Sequence, residues 1–119
     1  MIDPPYIYRA EVLSVYDGDT LLLDIDLGFG VWLHNQTIRL FGLNAPELRG
    51  PERPQGIAAR EALKQKLPVG SVVQIQTEKD KKGKYGRWLG TIWVPHVETE
   101  TENINAWMVT HGYAQITKY

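Results

Sequence analysis

The chain contains no cysteine, so it has no disulfide scaffold, no thiolate zinc site and no cysteine nucleophile, and its stability must come from packing. It has no excess of positive charge either. Lys and Arg number 13 against 14 Asp and Glu, a formal net charge of −1, which excludes a histone-like polycation that gathers nucleic acid by global charge. Any affinity for a polyanion has to be local. No apolar run approaches the roughly 18 residues needed to cross a bilayer. The start, Met1-Ile2-Asp3-Pro4-Pro5, has neither the basic segment nor the apolar segment of an export signal. The expectation is a soluble chain without an export signal, cytoplasmic by default, although the lack of cysteine leaves the compartment open. With 119 residues, 43% of them hydrophobic, the chain can close one core and has little left for a second, so one domain is expected.

What is present begins strand-like. Residues 8–16 (YRAEVLSVY) and 20–27 (TLLLDIDL) carry β-branched and aromatic residues, and Leu21, Leu23, Ile25 and Leu27 alternate with Leu22, Asp24 and Asp26, the pattern of a half-buried strand. Gly28-Phe29-Gly30 supplies positions tolerant of positive φ before residues 31–41 (VWLHNQTIRLF) resume the extended pattern, which predicts a long hairpin. Residues 42–55 (GLNAPELRGPERPQ) hold three prolines and two glycines and read as a surface loop without regular structure. Residues 56–67 (GIAAREALKQKL) are strong helix formers with Ala59, Leu63 and Leu67 four apart, stopping at Pro68. Two more strands are expected at 71–79 and 87–95, joined by the charged turn 80–86 (DKKGKYG), with Gly90 suited to the bend of a small closed barrel. Asn105 is placed to cap a second helix running to about Gly112, with Ile104 and Val109 as a hydrophobic staple and Trp107 and Met108 facing the barrel. Residues 98–102 (ETETE) read as a solvated loop, and no internal repeat or low-complexity tract appears. Five strands with a helix between the third and fourth match the five-stranded Greek-key barrel of the OB type, a fold that often binds oligonucleotides; topology alone suggests only that ligand class.

Three segments concentrate polar residues at strand edges: Asp17-Gly18-Asp19-Thr20, then Arg39 through Glu47 (RLFGLNAPE), then Lys84-Tyr85-Gly86-Arg87. Taken alone, DGDT has a complete explanation as a turn; the functional alternative is that Asp19 and Thr20 offer hard oxygens to a cation such as Ca²⁺. Arg39 lies in register with Val31, Leu33 and Phe41, opposite in sense to Ile38 and Leu40. A cation in an apolar strand needs a partner, either a carboxylate or a bound anion. Arg87, directly after a turn, has a planar fork that can meet phosphate oxygens in two parallel hydrogen bonds. Glu47 follows Pro46 in the loop, where helix pairing cannot account for its carboxylate.

The order DGDT, R-x-x-G-x-N-A-P-E and K-Y-G-R, together with the segment N-x-x-x-V-x-x-G-Y-A from Asn105 to Ala114, resembles the staphylococcal nuclease-like (thermonuclease) family from about residue 8 to 119. The resemblance implies one nuclease-like domain over residues 1–119, with its core at about 8–119. It also implies an OB-fold barrel with two or three packed helices and a Ca²⁺-dependent phosphodiesterase acting on DNA and RNA with little sequence preference. It makes Asp19 a metal carboxylate with Asp17 and Thr20 in support, Arg39 and Arg87 the clamp on the scissile phosphate, and Glu47 the carboxylate that activates or orients water. Lys84 and Tyr85 match positions that contact the nucleotide phosphate. The family's second metal carboxylate falls at Asn44, and its next ligand, a backbone carbonyl, at Ala45. An amide still presents an oxygen, but the site loses a full negative charge, so weaker metal binding or use of another divalent ion is expected.

Tyr113 and Tyr119 are candidate stacking faces for bases, with core burial the alternative for Tyr113. His34, His96 and His111 lack ligand spacing and read as structural or surface residues. The tryptophans at 32, 88, 93 and 107 stand in apolar company and read as core. Lys79, Lys81, Lys82, Lys84 and Arg87 form the one basic cluster, a solvated hairpin or a guide for a polyanion. The expected partners are DNA or RNA, with no membrane, and the expected state is a monomer. The rival functions are a catalytically silent nucleic-acid-binding barrel and a protein-interaction domain on the same fold; Asn44 favours both, and the joint presence of Arg39, Glu47 and Arg87 disfavours them.

Overall fold

In the computed structural model, which describes residues 6–79, 88–95 and 101–117, the alternating apolar pattern of the first third folds into three long strands. These are β1 (Ile7–Asp17), β2 (Thr20–Gly28) and β3 (Val31–Leu40), followed by the two-residue β4 (Leu43–Asn44), a single 3-10 turn at Gly50–Glu52 and helix α1 (Arg53–Lys66). Strands β5 (Val72–Lys79) and β6 (Trp88–Val94) come next, then β7 (Glu102–Asn103), helix α2 (Ile104–Thr110) and β8 (Gln115–Ile116). β2 runs antiparallel between β1 and β3, β1 also pairs with β5, and β5 with β6. The parallel pairing of Ile38, Arg39 and Leu40 with Trp88, Leu89 and Gly90 then closes the sheet on itself. The result is the five-stranded OB-type barrel with two helices.

Period-2 alternation fills its interior: Leu21, Leu23 and Ile25 of β2 meet Val12, Ile38, Leu40, Val73, Ile75 and Ile92, each less than 5% exposed. Ala59 and Leu63 of α1 and Ile104 and Met108 of α2 complete the core, and Leu67 follows α1 into it, as the four-residue spacing predicts. Closure depends on Gly90. A Cβ there would stand 2.9 Å from Ile75 Cδ1 and 3.0 Å from Ile38 Cγ2, so the three strands meet only because that position has no side chain. Gly112, at φ 78°, ends α2 as expected.

Four expectations are corrected. α1 begins at Arg53, three residues before Gly56, because Pro54 in its first turn gives up only an amide that a helix start leaves unbonded anyway. The 42–55 segment is not free of regular structure, since β4 pairs with β8. Of the tryptophans expected as core, Trp107 is half-buried and packs against it, but Trp93 is only half-buried and Trp32 and Trp88 are 37% and 39% exposed. Trp32 lies on the distal part of the β2–β3 hairpin, where it stacks on His34, and a ring of this size is rarely covered completely. Lastly, the cap of α2 is Asn103, whose side chain accepts a hydrogen bond from the Ala106 amide at 3.1 Å, so Ile104 opens the helix and is no staple.

Asn105 serves the barrel instead. It is 7% exposed; its Oδ1 accepts from the Ile92 amide at 3.0 Å, and its Nδ2 donates to the carbonyls of Phe41 and Gly90, each at 3.0 Å. Leaving such buried groups unbonded costs about 1–3 kcal/mol apiece, so Asn105→Ala is expected to lower stability by about 3–5 kcal/mol. Loss of a helix cap, in Asn103→Ala, is expected to cost only about 1 kcal/mol. Urea denaturation of both variants measures the contrast, and equal losses would mean that Asn105 does not hold the closure. Among the described residues no helix is long and apolar enough to cross a membrane.

Candidate active site

The turn between β1 and β2 builds the first wall of the site. Asp17 Oδ1 accepts from the Asp19 amide at 3.0 Å, and Gly18 lets the turn press against two neighbours at once. A Cβ at Gly18 would stand 2.6 Å from Ala59 Cβ on α1 and 2.7 Å from Ala45 Cβ. Asp19 is thereby driven inward to 6% exposure, where its Oδ1 accepts from the Thr20 hydroxyl at 3.0 Å and its Oδ2 from the Ala45 amide at 2.9 Å. Burial first, and then the neighbouring Asp19, push the Asp17 carboxyl from 3.8 up to about 6. A carboxyl whose pKa rises on folding favours the folded state only while it holds its proton, so stability from this group falls as pH climbs from about 4 to about 6. At neutral pH the turn concentrates negative charge that a cation would relieve.

Arg39 faces this turn from β3, opposite Thr20 in the β2–β3 ladder. Its Nη1 lies 3.5 Å from Asp19 Oδ2, and its Nη2 donates to the Leu43 carbonyl at 3.3 Å and to Asn44 Oδ1. The carboxylate partner that a strand arginine requires is therefore Asp19, and the guanidinium keeps 19% exposure towards the cleft. Asn44 Nδ2 in turn donates to Thr117 Oγ1 at 2.6 Å.

Glu47 projects from the loop after β4, its side chain 68% exposed, with Arg49 Nε 3.9 Å from one carboxylate oxygen. Its backbone is fixed although its side chain is largely exposed. Gly56 of α1 packs so closely that a Cβ there would stand 2.2 Å from the Glu47 carbonyl oxygen, and the Glu47 amide donates to Glu52 Oε2 at 3.2 Å. Asp17, Asp19, Thr20, Arg39, Asn44, Ala45 and Glu47 all line one cleft of about 1040 Å³.

Residues 111–115 form another wall of that cleft. Tyr113 is half-buried, its ring stacked on Trp107 at 5.6 Å between centroids. Trp107 also stacks on His111 at 4.5 Å and has Lys66 Nζ 4.6 Å from its ring centre. His111, read from the sequence as structural or surface, is an exposed member of the cleft wall with Nδ1 3.1 Å from the Trp107 carbonyl. Tyr16, Gln55 and Pro51 also line the cleft, and no motif marked them. Lys84, Tyr85, Arg87 and Tyr119 lie outside the described residues, as do His96 and all of the basic cluster except the backbone of Lys79. Among the described residues no three His, Asp or Glu side chains converge as metal ligands, so the candidate donors are the two carboxylates with hydroxyl, amide and backbone oxygens.

A closed OB-type barrel with two packed helices, whose cleft sets an arginine beside a buried carboxylate, defines the class of OB-fold proteins to which this chain belongs. The chain belongs to the staphylococcal nuclease family: residues 37–119 match the family model described as Staphylococcal nuclease homologue. It is 29% identical over 116 residues to a micrococcal nuclease of Shigella flexneri, covering 94% of this chain and 60% of that protein. A thermonuclease of Staphylococcus intermedius is 33% identical over 86 residues, 70% of this chain and 47% of that protein. Protein ParB of Escherichia coli is 34% identical over 113 residues, covering 89% and 55% respectively. The chain thus spans about half to three-fifths of the length of these relatives.

Proposed function

We propose that this chain is a nuclease domain, extending over residues 1–119, which hydrolyses phosphodiester bonds of DNA or RNA with little sequence preference, acting as a monomer. The observation that carries the reading is the shared cleft: Arg39 held beside buried Asp19, with the Glu47 carboxylate in the same hollow. The names of the two nuclease relatives support the same chemistry.

The donor chemistry fits a hard divalent cation, Ca²⁺ or another of that kind. The candidates are oxygens throughout, and two carboxylates, Asp17 and Asp19, stand two residues apart in the same turn, where burial and then the neighbouring Asp19 raise the Asp17 carboxyl to about 6. Asp19, the Ala45 carbonyl and the second lone pair of the Asn44 amide oxygen, whose first accepts from Arg39, would hold the ion, with Asp17 and Thr20 in support. When bound, the ion supplies charge stabilisation to the reacting phosphate. The protein's own groups do the rest. Arg39, joined by Arg87, binds the non-bridging phosphate oxygens, whose charge grows as water attacks, so the clamp favours the transition state over the ground state. Glu47 orients the attacking water and takes its proton. Tyr113 offers its ring to a base, and Lys84, Tyr85 and Tyr119 complete the contacts with the strand.

The test is cleavage of labelled single-stranded DNA and RNA across a Ca²⁺ titration. Cleavage that appears with the ion and stops on chelation is the expected result; oligonucleotide bound yet intact at every divalent concentration would instead identify a silent nucleic-acid-binding barrel. Asn44→Asp should lower the Ca²⁺ needed for half-maximal cleavage by at least about tenfold, because a unit charge about 4 Å from a divalent ion is worth several kcal/mol at an effective dielectric near 20. An unchanged Ca²⁺ requirement would remove residue 44 from the ligand set.

A further inference from the structure

Thr117 lies 78 residues beyond Arg39, immediately after β8, yet one side chain connects them. Asn44 accepts from Arg39 Nη2 through Oδ1 and donates to Thr117 Oγ1 through Nδ2 at 2.6 Å, so both ends of its amide are engaged. The backbone reinforces the link. β4 pairs with β8 through Leu43–Ile116 and Asn44–Gln115, and the Thr117 amide donates to the Gly42 carbonyl at 2.8 Å. The Leu43 carbonyl, an acceptor of Arg39 in its own right, is carried by the same two-residue strand.

An arginine has several rotatable bonds and only donors to offer, so its position is set by the acceptors around it. Asp19 supplies charge from one side, whereas residues 43 and 44 supply neutral oxygens from another. A neutral oxygen directs the fork without cancelling the charge that a phosphate must meet. We propose that Thr117 is a positioning residue which, through Asn44, sets the orientation of the Arg39 guanidinium, so that β8 forms part of the phosphate clamp. The proposal rests on the nuclease reading for its kinetic consequence, though not for its geometry.

Two measurements on Thr117→Val and Thr117→Ser test it. Losing one solvent-accessible hydrogen bond should lower kcat about 3- to 10-fold in Thr117→Val, with KM and melting temperature close to wild type, while Thr117→Ser returns to within about twofold. In an Asn44→Ala background the valine variant should cause no further loss, since the connecting amide is already gone. The Arg39 Nε–Hε resonance, identified by its disappearance in Arg39→Lys, should show a lower heteronuclear NOE in Thr117→Val and recover in Thr117→Ser. Wild-type rates and an unchanged NOE in Thr117→Val would overturn the proposal, and so would an equal loss in the Asn44→Ala background. Should wild type cut nothing while the NOE responds as described, the nuclease reading fails and the positioning role stands.

Discussion

Arg39→Ala is expected to reduce kcat for oligonucleotide cleavage by about 10³- to 10⁵-fold, the range that one transition-state arginine supplies in phosphoryl transfer. The geometry explains why so little can replace it. The guanidinium is held on one side by Asp19 at 3.5 Å and on another by the Leu43 carbonyl at 3.3 Å, which leaves a fixed planar fork at the cleft. Lysine offers charge without that fork, so Arg39→Lys should recover only a small part of the loss. Removal of the arginine also leaves Asp19 buried without its cationic partner, which costs stability in the absence of metal. Kinetics are therefore measured at saturating Ca²⁺, well below the melting temperature, with circular dichroism to verify the fold. An Arg39→Ala protein that is folded and within about tenfold of wild type would exclude Arg39 from the reaction, since a single lost neutral hydrogen bond accounts for that much.

The barrel was legible because its determinants are local and periodic. Leu21, Leu23 and Ile25 announce an inward face by alternation alone, and Ala59, Leu63 and Leu67 announce a helix face by spacing. Arg39 was legible for the opposite reason: a permanent charge between two buried residues, Ile38 and Leu40, is a local conflict that implies a partner. Asn103 and Asn105 show where such reading ends. Both are cap-forming amides two positions apart, and only the closure of β3 on β6 decides that Asn105 turns inward to bond Phe41, Gly90 and Ile92. Thr117 is the extreme case, for its partner Asn44 is 73 residues away and no spacing rule connects them. Trp107 packs against the core as its apolar company implies, but Trp32 does not, because an apolar neighbourhood in sequence does not determine how far a hairpin extends past its barrel, and Trp32 rides on that extension.

Glu47→Gln is expected to lower kcat by about 10²- to 10⁴-fold, the range for loss of a positioned general base. Glutamine keeps the length, the planar end and an oxygen able to hold a water molecule, so what disappears is chiefly the capacity to take a proton. Because the side chain is 68% exposed and the loop is fixed through its backbone against Gly56, the melting temperature and the Ca²⁺ requirement should stay near wild type. The neighbouring Arg49 provides the control: an 89% exposed guanidinium 3.9 Å away makes a weak surface pair, and Arg49→Ala should leave kcat within about twofold of wild type. Comparable losses in the two variants would mean that Glu47 acts through its pairing with Arg49 and not as a base. A fast Glu47→Gln enzyme would mean that the water is activated elsewhere. The close contact at Gly56 is what suits this carboxylate to proton transfer: on an unanchored loop it would sample too many positions, and here the loop carbonyl rests on a helix position with no side chain to push it away.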